Sequence, residues 1–92
     1  MIRSESRPRL AAKARLRKDA KSGRHMLLYP ERGMELNATS ADILLLCTGD
    51  ATVSDIVDSL TTRYAPTPRA TIEREVIGFL QGLAERALLA PE

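Results

Sequence analysis

Polar and apolar positions change rhythm along this chain, and each change marks an element. From Ala14 to Arg17 small or apolar residues alternate with charged ones, the period of two that leaves one side of a strand in water. Asp19-Ala20-Lys21-Ser22-Gly23 is turn chemistry, and His25–Tyr29 then gives an apolar and aromatic run. Met34-Glu35-Leu36 alternates again. Between the last two runs, Pro30-Glu31-Arg32-Gly33 has the composition of a type I turn closed by a glycine at positive φ, which predicts a bulged hairpin. The expectation is a three-stranded antiparallel meander whose last strand covers about Gly33–Leu36. A sheet that small has to pack against helices.

After Asn37 the period becomes helical. Asn37 offers a side-chain oxygen as a cap, and Thr39 with Asp42 three residues on is the competing start. Ile43, Leu44, Leu46 and Cys47 give the first helix its apolar stripe, and Thr48-Gly49-Asp50 ends it. Thr52 with Asp55 signals a second start, followed by Val53, Ile56, Val57, Leu60 and Tyr64 at helical spacing up to Ala65-Pro66. A third helix begins at Thr67-Pro68 and carries Ile72, Val76, Phe79, Leu80 and Leu83 as its stripe. Leu88-Leu89 reads as a final short strand or a core plug. The fold class is therefore α+β: a winged-helix-like domain, a three-stranded antiparallel sheet followed by three helices. It spans residues 14–90, behind a flexible or loosely docked basic arm at residues 1–13.

Composition narrows the function. Ninety-two residues make one small domain, without an apolar run long enough to span a membrane. The polar, basic start lacks the hydrophobic segment of a secretion signal, and the single Cys47 excludes an internal disulfide, so a cytoplasmic protein is expected. One Cys and one His exclude a Cys/His zinc site, and neither a metal nor a cofactor is expected. Charge is uneven. Residues 1–36 carry ten Lys/Arg against four Asp/Glu, or +6, while residues 37–92 carry four against eight, or −4, which together give the net +2.

Catalysis finds no support in these residues. Cys47 falls on an apolar helical stripe, His25 is the one imidazole, and the five glycines are too dispersed for a phosphate loop. Nucleic-acid binding, the role of a winged-helix DNA-binding regulator, is the alternative. Against it, the third helix mixes Arg69, Arg74 and Arg86 with Glu73, Glu75 and Glu85 in an acidic half of the chain. Peptide binding fits better, because the last strand of a meander has one edge without a neighbour and can accept another strand. The chain's own arm and a second copy of the chain, exchanging a strand or segment, compete for that edge on equal terms.

The run from His25 to Cys47, above all Leu27-Leu28-Tyr29-Pro30-Glu31-Arg32-Gly33, resembles the signature region of the PqqD family. The resemblance extends from about Pro8-Arg9-Leu10 to Leu60 and thins in the third helix. Thr48 departs from it, standing where an acidic residue usually precedes the glycine. Met34 departs too, at a place usually held by a smaller or branched residue. The resemblance implies a non-catalytic peptide chaperone, a recognition element for ribosomally made precursor peptides. It would bind the precursor of pyrroloquinoline quinone (PQQ) and present it to the radical S-adenosylmethionine enzyme that cross-links a Glu and a Tyr within it. It further implies that the peptide adds to the third strand and lies against the third helix. That assigns Gly33, Met34, Glu35, Leu36 and Asn37 to the strand wall of the site, and Arg69, Ile72 and Val76 to the helix wall, with core packing competing for Ile72 and Val76 on equal terms.

Overall fold

The three strands are β1 (Arg15–Lys18), β2 (His25–Tyr29) and β3 (Arg32–Glu35), hydrogen-bonded antiparallel in the order β1-β2-β3. They precede α1 (Ala38–Leu45), α2 (Val53–Arg63) and α3 (Arg69–Glu85). This computed structural model describes residues 2–30 and 32–91. The winged-helix-like arrangement of a small sheet followed by three helices is the one expected, with β1 and β3 placed within a residue of their predicted bounds.

Local chemistry explains the β1–β2 turn. The Asp19 carboxylate accepts from the Lys21 amide at 3.0 Å and the Ser22 hydroxyl at 3.1 Å, and Gly23 takes φ 73. The second hairpin differs from the bulged turn expected. Tyr29 pairs directly with Arg32, which leaves only Pro30 and Glu31 as the connection, and Glu31 lies outside the described residues. Gly33 sits within β3 opposite Leu28 and is not among the glycines of positive φ. Its lack of a side chain serves close packing instead: a Cβ there would lie 3.2 Å from Leu28 Cδ2 and 3.4 Å from Met26 Cε.

Helix ends are well supplied. Asn37 caps α1, accepting from the Ser40 amide at 2.8 Å. At α2 the predicted box is complete, with Asp55 N donating to Thr52 Oγ1 and Thr52 N to Asp55 Oδ2, each at 3.0 Å. Two more orphan amides of that first turn, Val53 and Ser54, donate to the carbonyls of Ser6 and Ser4 at 2.8 and 2.9 Å. The stretch expected to be flexible or loosely docked is thus laid down along the domain. Ser6 is buried, the Gly49 amide bonds the Pro8 carbonyl, and Leu10 pairs with Leu89 in an isolated bridge. Helix α3 ends with Ala87 at φ 57 and Leu88 N bonded to the Leu83 carbonyl at 2.9 Å, a left-handed cap that swings Leu88 into the core.

That core is aliphatic. Leu27 of β2 shares one buried cluster with Ile43, Ile56, Leu60, Leu80, Leu83 and Leu88, all 0–2% exposed. Burying each such side chain contributes roughly 1.5–3 kcal/mol. The predicted stripes of all three helices face inward, with Ile72 and Val76 of α3 among the most buried residues. The helices cover one face of the sheet only. On the other face Arg15 and Arg17 of β1 flank Leu28 and Met26 of β2, and Gly33 and Glu35 complete the two rows.

Candidate functional site

Register and one hydrogen bond fix which way each backbone group of β3 points. The Leu36 amide donates to the His25 carbonyl at 3.0 Å, so 25 and 36 form a hydrogen-bonded pair. Such pairs recur every second residue in an antiparallel ladder. The register therefore makes Leu27–Met34 and Tyr29–Arg32 the bonded pairs, and Met26–Glu35 and Leu28–Gly33 the non-bonded ones. Gly33 and Glu35 consequently turn their N–H and C=O away from β2. Since β3 ends the sheet, those four groups form its free edge; among the described residues no backbone bond covers them.

The predicted strand wall divides accordingly. Gly33 and Glu35 present backbone outward. Met34 and Leu36 spend theirs on β2 and send their side chains to the helical face, where Met34 is half-buried and Leu36 is 5% exposed. Asn37 is occupied at both ends: its side chain caps α1 and its carbonyl accepts from Ala41 N at 3.0 Å. The Glu35 side chain stands on the uncovered face, where Arg24 holds it in an ion pair.

The predicted helix wall fares differently. Ile72 and Val76 do share a face, but that face is the one sealed into the core, at 2% and 0% exposure. Neither has surface to offer a peptide. The spacing that groups them is the spacing of the apolar stripe itself, and core packing takes both. Arg69 is accessible and paired with Asp58 of α2.

One feature at this end of the sheet has no clear signal in the sequence. Where β3 runs into α1, a cleft of about 790 Å³ opens between the start of β2, the first turns of α1 and the end of α2. Arg24, His25, Asp42, Arg63 and Tyr64 line it. The Tyr64 hydroxyl donates to Asp42 Oδ2, which also accepts Arg63 Nε at 3.1 Å. That bond to Asp42, together with partial burial, raises the Tyr64 phenol above its ordinary range. Thr39 and Asp42 have the spacing of a cap pair, but Asn37 does the capping, and Asp42 instead ties α1 to the end of α2.

The one thiol is shielded from chemistry. Cys47 is buried, its Sγ donates to the Ile43 carbonyl at 3.2 Å, and burial pushes the thiol up to about 12. Among the described residues no group of His, Cys, Asp and Glu is arranged to hold a metal.

Residues 24–89 match the family model described as Coenzyme PQQ synthesis protein D (PqqD), a span that includes all of β2, β3 and the three helices. The chain belongs to the PqqD family. A "PqqA binding protein" of Rhodopseudomonas palustris (strain BisB5) is 39% identical over 88 residues, covering 96% of this chain and 85% of the relative. The "Bifunctional coenzyme PQQ synthesis protein C/D" of Methylorubrum extorquens is 39% identical over 82 residues, covering 89% of this chain and 22% of the relative, so the likeness takes in a minor part of that fused protein. The solution structure of the PqqD truncation of Methylobacterium extorquens PqqCD superimposes with a TM-score of 0.82 at 34% identity, covering 99% of this chain and 96% of the other. That truncation is described as a functional, stand-alone recognition element for ribosomally synthesized and post-translationally modified peptides.

Proposed function

We propose that this chain binds the PqqA precursor peptide by strand addition to the free edge of β3, and does no chemistry of its own. The outward N–H and C=O groups of Gly33 and Glu35 carry the reading. An extended peptide laid antiparallel or parallel there can make several backbone hydrogen bonds, each contributing about 1 kcal/mol net. Ordering a disordered peptide costs about 2–5 kcal/mol, so side-chain burial beside the strand has to supply the rest. Alternate peptide residues would meet Met34 on the helical side and Leu28 and Met26 leaning over Gly33 on the other. The names borne by the relatives support the peptide's identity as PqqA. The fused relative fits a protein that works beside biosynthetic enzymes. The bound peptide would be handed to the radical S-adenosylmethionine enzyme that joins a Glu to a Tyr, in the cytoplasm. A second copy of the chain is the rival occupant of the same edge.

Proline at position 35 tests this. Glu35→Pro removes an N–H that points away from β2 and leaves the bonds at Leu27–Met34 and His25–Leu36 in place. Affinity for synthetic PqqA, measured by calorimetric titration, falls by at least about tenfold, equivalent to one lost bond and its misalignment. Glu35→Ala, which removes the side chain and its pair with Arg24, keeps peptide binding. A folded Glu35→Pro protein with unchanged affinity would rule out strand addition at this edge.

A further inference from the structure

The cleft at the end of β3 is not explained by backbone pairing. Glu35, Leu36 and Asn37, at the end of β3, line this cleft, so a strand paired with Gly33 and Glu35 has one end beside it. The cleft is built from three elements that meet only in the folded chain: Arg24 and His25 at the start of β2, Asp42 in α1, and Arg63 and Tyr64 at the end of α2.

Its hydrogen-bonding inventory is lopsided. Each of its carboxylates already has a cation: Glu35 holds Arg24, and Asp42 holds Arg63 as well as the Tyr64 hydroxyl. Each guanidinium carries five N–H donors, and these two ion pairs engage one nitrogen of each side chain. The Arg24 and Arg63 side chains are 68% and 66% exposed, so their remaining donors face water. The two guanidiniums thus bring more donors than the two carboxylates of the cleft engage. A planar carboxylate is the acceptor that the fork of an arginine matches best.

We infer that the cleft takes an acidic side chain of the peptide bound along β3, held between Arg24 and Arg63. This rests on strand addition at β3 and deepens it: the edge supplies the backbone pairing, and the cleft sets the register at which the peptide sits. Register needs such a device. Backbone pairing alone would tolerate a slip of two residues along the edge.

The test pairs protein and peptide changes in a double-mutant cycle. Synthetic PqqA is titrated into the wild-type protein, Arg24→Gln and Arg63→Gln, and then into each again with every Asp or Glu of the peptide changed singly to its amide. Circular dichroism checks that both variants are folded. For wild type, one amide swap weakens binding by roughly threefold to tenfold, the range of a charge-assisted pair in a partly exposed site. The same swap has little further effect on Arg24→Gln or Arg63→Gln, and the coupling shrinks as salt is raised. If every amide swap costs the variants as much as it costs wild type, the cleft does not read the peptide. In that case Glu35→Pro still weakens binding by at least about tenfold and strand addition stands. If Glu35→Pro binds as wild type does, both ideas fall together.

Discussion

The groove and the core are both expected places for Val76, which is found in the core, and those two placements predict opposite phenotypes for Val76→Ala. The side chain is 0% exposed in the middle of α3. Shortening it removes two methyl groups, a transfer loss of roughly 1.6 kcal/mol at about 0.8 kcal/mol each. The cavity left behind adds to this, while the better helix propensity of alanine returns roughly half a kcal/mol. The net loss is about 2 kcal/mol. A domain of this size has roughly 5–14 kcal/mol of stability, so the variant remains folded at 25 °C with its melting point lowered by roughly 8–16 °C. Urea unfolding gives the stability, and calorimetric titration with PqqA below the transition gives the affinity. Affinity within twofold of wild type is expected. A variant that lost less than about 0.5 kcal/mol of stability and tenfold in affinity would place Val76 in the groove and refute the assignment to the core.

Two further outcomes follow from the helix ends. Ala87 holds φ 57 at the left-handed end of α3, a conformation that costs an L-residue roughly 1–2 kcal/mol. Ala87→Gly should raise stability by about 0.5–1 kcal/mol in urea unfolding, part of the gain being offset by the freer unfolded chain. The Asp55 carboxyl is held below its ordinary value of 3.8 by the backbone amide and hydroxyl of Thr52. Its contribution is therefore fully present above pH 3.8 and lost as pH falls through the lowered folded value. Asp55→Ala should be less stable than wild type at neutral pH, with the gap between their urea midpoints closing in acid; a gap independent of pH would show that the carboxylate does not matter.

Much of this fold can be read from local pattern because local pattern causes it. The stripes of the three helices and the box at Thr52 and Asp55 depend on residues three or four apart, and all appear where expected. Gly33 is misplaced by pattern because Pro30-Glu31-Arg32-Gly33 has good turn composition, whereas the turn is decided by register, Tyr29 with Arg32. The docking of the first residues is hidden for another reason. Ser4 and Ser6 reach the start of α2 through their carbonyls, and every residue has a carbonyl, so nothing in their side chains marks that contact. The cleft depends on the meeting of Asp42 with Tyr64, 22 positions apart, and of Arg24 with Glu35, 11 apart. Periodicity is silent about such pairs. At the site itself, the strand can be located from sequence through its likeness to PqqD, while the division of its backbone groups requires the ladder.

That division is the central claim, and amide hydrogen exchange followed by NMR tests it most directly. In the free protein the amides of Met34 and Leu36, bonded to β2, should exchange slowly, and those of Gly33 and Glu35, turned outward, should exchange fast. Saturating PqqA should slow Gly33 and Glu35 and leave the contrast at Met34 and Leu36 little changed. Bound peptide with Gly33 and Glu35 still exchanging at their free rates would contradict strand addition at β3.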